Sequence, residues 1–123
     1  MSDWVNFTND ELNCSCCGEE NTSLEFRELM DEVQEMREEL GFSFNVTSAY
    51  RCEVHPIEAK KAYQGQHTIA AIDINVWGDK AVRLIELALK KGFTGIGVQQ
   101  RGPHKKRFIH LDLRDGPRAI WSY

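Results

Sequence analysis

AAIDINV, residues 70–76, is a short run of small and β-branched side chains, and it reads as a strand with one carboxylate, Asp73, in its middle. Working upstream, residues 51–66 (RCEVHPIEAKKAYQGQ) show no clean period and hold a proline and a glycine, so they form a long irregular connection. Connections beyond about 12–15 residues are uncommon in a compact domain and are usually functional or disordered. This one ends at His67, just before the strand. Further upstream, Phe42, Phe44, Val46 and Ser48 alternate with Ser43, Asn45 and Thr47, the pattern of a second strand. Before it, Phe26, Leu29, Met30, Val33, Met36 and Leu40 fall on one helical stripe, with Thr22 and Glu25 as a capping box and Gly41 as the stop. Downstream, Asp79 is placed to cap a helix through Val82, Leu84, Ile85, Leu87, Ala88 and Leu89, stopped at Gly92. Thr94 to Val98 and Arg107 to Leu113 supply two more strands. The order α-β-β-α-β-β predicts an α+β fold: a small antiparallel sheet flanked by two main helices.

The chain has 123 residues, enough for one domain spanning 1–123 that buries roughly two-thirds of its unfolded surface without a disulfide cage. Its 41% hydrophobic and 28% charged residues exclude a disordered tail, a collagen-like chain or a coiled coil. No apolar run approaches the ~18 residues of a membrane span, and MSDWVNFTND lacks a secretory leader. A cytosolic, monomeric chain without a membrane partner is expected. The net charge of −4 is unevenly spread: residues 1–47 carry 12 acids against 2 bases, and residues 48–123 carry 13 bases against 7 acids. The acidic part reads as a solvated helix face. The basic part suits an anionic partner, but Lys105, Lys106 and Arg107 form one short run without interleaved aromatics, which argues against nucleic acid.

The chain has four histidines: His55, His67, His104 and His110. His67 at the end of the connection, Asp73 in the strand and His110 in the last strand would give two imidazoles and a carboxylate, three ligands for Zn²⁺ with a fourth position left for water. Such an ion lowers the pKa of bound water and polarises a carbonyl. A strand histidine also serves as an ordinary hydrogen-bonded residue, so spacing alone does not choose. Cys14 and Cys17 make a CxxC, and Cys52 with His55 a CxxH, a pattern open to a structural zinc or to free thiols in a reducing compartment. GFTGIGV is no dinucleotide loop, because Gly95 and Gly97 precede a strand and Gln100 stands where a third glycine belongs. Tight turns feeding a strand explain those glycines, and Trp121 and Tyr123 read as core or rim aromatics.

Taken in order, Cys14-Ser-Cys-Cys-Gly18, Ser48-Ala-Tyr-Arg51, Gly65-Gln-His-Thr68, Ala71-Ile-Asp-Ile74, Gly92-Phe-Thr-Gly-Ile-Gly97, Phe108-Ile-His-Leu-Asp-Leu-Arg114 and Trp121-Ser-Tyr123 carry a likeness. From about Phe7 to the C-terminus the chain resembles the zinc D-alanyl-D-alanine carboxypeptidase family, which includes phage endolysins and shares its fold with the hedgehog signalling domain. The resemblance implies that His67, Asp73 and His110 ligate zinc and that Arg51 holds the substrate's carboxylate, a task suited to a guanidinium fork. Ser48 and Gln66 would line the same cleft.

Two departures stand out. His67 and Asp73 are six residues apart, one fewer than usual in the family, and Ala70 stands near the place of a glycine. In a continuous strand, a one-residue loss would turn a side chain to the other face, so His67 is expected in the preceding turn. The family's general base is a carboxylate close to the last zinc histidine, and HKKRFI, residues 104–109, contains none. Asp112, two residues after His110 on the same face, is the candidate, either as base or as a partner orienting a ligand; His104 is the fallback.

The resemblance therefore implies a zinc-dependent peptidase, a carboxypeptidase or endopeptidase, hydrolysing a bond in peptidoglycan stem peptides. Lacking a leader, it would act on the cell wall after release, as a phage-encoded lysin does. The competing expectation is a non-catalytic module of the same fold that binds peptidoglycan or another ligand.

Overall fold

A computed structural model describes residues 2–52 and 66–123. Most of the long connection, with His55, lies outside the described residues. The elements are α1 (Asn9–Leu12), α2 (Leu24–Leu40), β1 (Asn45–Ser48), α3 (Gln66–Ile69), β2 (Ala71–Asn75), α4 (Gly78–Lys90), β3 (Gly95–Gln99), a 3-10 turn (His104–Lys106), β4 (Phe108–Asp112) and β5 (Ala119–Ser122). The fold is α+β, as the periodicities predict.

The strands form one sheet in the order β1-β2-β4-β3-β5. The first four are antiparallel neighbours, but β5 joins β3 in parallel, so the sheet is mixed rather than antiparallel throughout. β5 has no sequence signal of its own, because most of its side chains are exposed and no apolar alternation marks it.

Alternation along the strands gives the sheet two unlike faces. Val46, Ile72, Ile74, Ile96, Ile109 and Leu111 point to one side and join Phe26, Leu29, Met30, Val33 and Met36 of α2 and Ala81, Leu84 and Ala88 of α4 in the core. Each fully buried aliphatic side chain there contributes about 1.5–3 kcal/mol. Asp73, Gly95, Gly97, His110 and Asp112 alternate with them and share the other face, where register pairs Asp73 and Gly97 with His110, and Gly95 with Asp112.

Helix ends differ from expectation in detail. Ser23, not Thr22, caps α2, its hydroxyl accepting from the Phe26 N–H, while the reciprocal capping box is Thr8 with Glu11 on α1. Gly41 closes α2 with φ +75°, a conformation that favours glycine. α4 begins at Gly78, one residue before Asp79, and no side chain caps it; Asp79 sits in its first turn, where a negative charge favours the helix dipole. Val82 and Leu89, expected on the α4 stripe, are exposed.

Candidate metal centre

Three elements converge on the polar face of the sheet. β2 and β4 present Asp73 and His110 as direct register partners. His67 arrives from α3, a single helical turn, so the tight coil takes up the short interval to Asp73. All three are buried. His67 Nε2 is 3.2 Å from Asp73 Oδ1, His110 Nδ1 is 3.0 Å from the same oxygen, and the two nitrogens are 3.2 Å apart.

The outward nitrogens fix the state of the inward ones. His67 Nδ1 lies 2.6 Å from the Ala49 carbonyl, which can only accept, so Nδ1 carries hydrogen. His110 Nε2 donates to Asp112 Oδ2 at 2.7 Å. In the neutral rings the inward atoms are thus lone pairs, and three acceptors meet around one point. Such an arrangement calls for a cation between them, either a proton or a metal ion. Two donors on a tetrahedral zinc at 2.0–2.1 Å lie about 3.3–3.4 Å apart, close to the separations found. Donor chemistry and geometry both fit a divalent transition metal.

The electrostatics agree. Burial alone would raise the Asp73 pKa, but hydrogen bonds from both imidazoles outweigh it and hold the carboxyl well below the usual range. Burial pushes His110 toward its neutral form, yet its bonds to Asp112 and Asp73 prevail and raise its pKa. Both shifts favour an ionised Asp73 beside a protonated His110.

Asp112 stands behind His110. Its carboxylate is wholly enclosed and also accepts from the Arg114 backbone N–H at 3.2 Å, from Nε at 2.8 Å and from Nη2 at 2.6 Å. Despite burial, the Arg114 and His110 bonds keep it ionised far below the ordinary range. It therefore faces away from the three-donor point and toward the far side of the His110 ring. The Arg114 guanidinium also lies over the Trp121 ring, 4.6 Å from its centroid, and Trp121 in turn packs on His110 with centroids 5.2 Å apart.

Beside the donors opens a cleft of about 330 Å³ lined by Thr47, Ser48, Arg51, Asp73, Lys105, Lys106, Arg107 and Phe108. Arg51 Nη2 is 3.8 Å from Asp73 Oδ2, and its Nε–H donates to Ser48 Oγ at 3.2 Å. A register shift after Val46 sets Ser48 opposite Asp73. Gln66 opens α3, half-buried, and its carbonyl accepts from the Ala70 N–H at 2.7 Å, closing the turn that carries His67. His104 stacks on Trp77, ring planes 8° apart and centroids 4.5 Å, and is not among the converging donors.

Sequence reasoning missed Gly95, Gly97, Arg114 and the Trp121–His110 contact. The glycines are strand residues on the site face rather than turns. A Cβ at Gly97 would come within 2.7 Å of Trp121 Nε1 and 2.8 Å of Tyr123 Oη. Glycine at alternate positions of a strand is the signal of such close approach.

The peptidase M15 family pattern matches residues 5–112, a stretch that includes all three donors, Arg51 and Asp112. No curated protein matches the chain. With that match covering most of its length, the chain belongs to the peptidase M15 family.

Proposed function

We propose that the protein is a zinc metallopeptidase acting on peptidoglycan stem peptides, with His67, Asp73 and His110 holding the ion. The observation that carries this reading is the meeting of three lone-pair donors within 3.2 Å of one another beside an arginine-bearing cleft. Zinc bound there supplies an activated water and a Lewis acid for the scissile carbonyl.

The remaining work falls to the chain. Arg51, backed by Ser48, grips the substrate's carboxylate through its planar fork. Lys105, Lys106 and Arg107 give the cleft a cationic rim, suited to a peptide with acidic groups. Asp112 accepts a hydrogen bond from His110 Nε2–H and so leaves the Nδ1 lone pair to face an ion, a positioning role. Arg114 keeps that carboxylate charged, and Trp121 shields one side of His110 from water. Whether the cut removes a terminal D-alanine or opens a cross-link follows from how far the cleft extends past Arg51. A phage-encoded lysin fits this activity.

The test is metal content together with release of peptides from purified peptidoglycan. One ion lost in His110→Ala, with hydrolysis lost too, supports the reading. A wild-type protein that keeps this ion yet cleaves nothing is a binding module; among the described residues, no carboxylate except Asp73 faces the donors, which gives that alternative its footing.

A further inference from the structure

A second group of metal-ligating side chains lies outside that centre. Cys14, Cys16, Cys17 and Cys52 bring their sulfurs to within 4.8 Å of one another. Cys14 and Cys16 are 3.4 Å apart, Cys16 and Cys52 3.4 Å, Cys14 and Cys52 3.5 Å, and Cys17 and Cys52 3.6 Å. None is disulfide-bonded. Sequence spacing pointed to Cys14, Cys17, Cys52 and His55; Cys16 fills the fourth place here, and His55 lies outside the described residues.

We infer that these four cysteines form a second, structural zinc site with an all-thiolate shell. The edge of a tetrahedron of sulfurs around zinc at 2.3 Å is about 3.8 Å, slightly more than these four separations. A disulfide needs about 2.05 Å, and a cluster of several irons would spread the sulfurs further. Soft thiolates in tetrahedral array select zinc among available divalent ions. Binding deprotonates the thiols and releases those protons to solvent.

The local chain is shaped for such a shell. Gly18 turns back with φ +75°, its N–H donating to the Cys14 carbonyl at 2.7 Å, while the Cys14 N–H donates to the Glu19 carbonyl at 2.9 Å. This tight turn presents three sulfurs to one side. Cys52 approaches from a distant part of the chain, its N–H donating to Cys14 Sγ at 3.4 Å. Cys14 and Cys52 are buried and Cys16 and Cys17 exposed, so the ion sits at the surface with two anchored and two solvent-facing ligands.

The position suggests its purpose. Cys52 follows Arg51, and the Tyr50 N–H donates to the Leu12 carbonyl at 3.2 Å. The same stretch holds His67 twice, through Ala49 O on its ring and the Arg51 N–H on its carbonyl at 2.9 Å. An ion binding Cys52 to the N-terminal turn therefore fixes the segment that carries Arg51 and braces His67.

Zinc content and the absorption of the cobalt-substituted protein test the inference. Two ions per chain are expected, with strong sulfur-to-cobalt charge-transfer absorption. Cys16→Ser with Cys17→Ser, chosen because both are exposed, should lose one ion and that absorption while keeping the other ion. His110→Ala should lose the other ion and keep the absorption. If only the cysteine variant loses metal, this site stands and the His67–Asp73–His110 reading falls. The inference is overturned if the cysteine variant keeps the wild-type metal content, if the bound metal is an iron–sulfur cluster, or if the mass of the native protein shows the thiols paired as disulfides.

Discussion

A methyl group at Gly95 would fall on the carboxylate of Asp112, its register partner across β3 and β4. The absence of a side chain at one residue is thus what lets the other stand behind His110. Gly95→Ala should cost about 1–3 kcal/mol, the usual penalty for overpacking, and also weaken metal retention by displacing Asp112. Denaturant midpoints read the first effect and chelator competition the second. A wild-type midpoint would show that the two residues do not press together.

Asp112→Asn separates base from positioning residue. Loss of the charge behind His110 should lower zinc affinity at the histidine site about 10–100-fold, seen as faster loss to a chelator. At saturating zinc the rate should fall less than the roughly 10²–10⁴-fold expected for removal of an acid–base group. Normal affinity with a collapsed rate would return Asp112 to the role of base.

Arg51→Lys keeps the charge and loses the two-point grip. KM for a substrate with a free carboxylate should rise about tenfold or more, while an amidated analogue, poorly handled by the wild type, should be treated alike by both proteins. Equal losses for acid and amide would remove carboxylate binding from Arg51.

The raised His110 pKa gives the metal-free protein a pH signature. Its stabilising proton is fully present below the ordinary imidazole value of about 6.5 and is lost as pH rises through the higher folded value. In chelator the protein should therefore melt higher at pH 6 than at pH 9. His110→Ala should shrink that difference. With saturating zinc the trend should reverse, because metal binding needs the deprotonated ring. Thermal scans at both pH values, with and without chelator, check the sign.

His67, Asp73 and His110 were singled out through the family resemblance, because two imidazoles and a carboxylate at this spacing do not by themselves choose a metal site over ordinary hydrogen-bonded residues. The α2 stripe was plain from its period alone. What escaped depended on partners far along the chain. β5 carries too little buried surface to show a period, and its parallel seat on β3 is decided by that strand's free edge. Thr22 and Ser23 are both good capping residues, and only the helix's final register picks the second. Gly95 and Gly97 look like turn glycines until Asp112 and Trp121 are seen to fill the space above them. Cys16 is hidden in the CSCC run because a spacing pattern allows several choices, whereas convergence in space, among the described residues, brings it together with Cys14, Cys17 and Cys52.

The three donors of the sheet face differ in how they can let go. Asp73 and His110 ride on β2 and β4, each laddered on both flanks, so their amides should exchange with solvent only as slowly as the whole domain unfolds. His67 rides on four helical residues, far too few to persist alone in water. Its turn is held by a handful of bonds, among them that of Asn21 Nδ2 to the Ile69 carbonyl at 2.8 Å. One jaw of the clamp is therefore fixed and the other hinged. An ion held there would leave when α3 breathes, on the timescale of a local fluctuation, and the two fixed donors would keep their places for the next one.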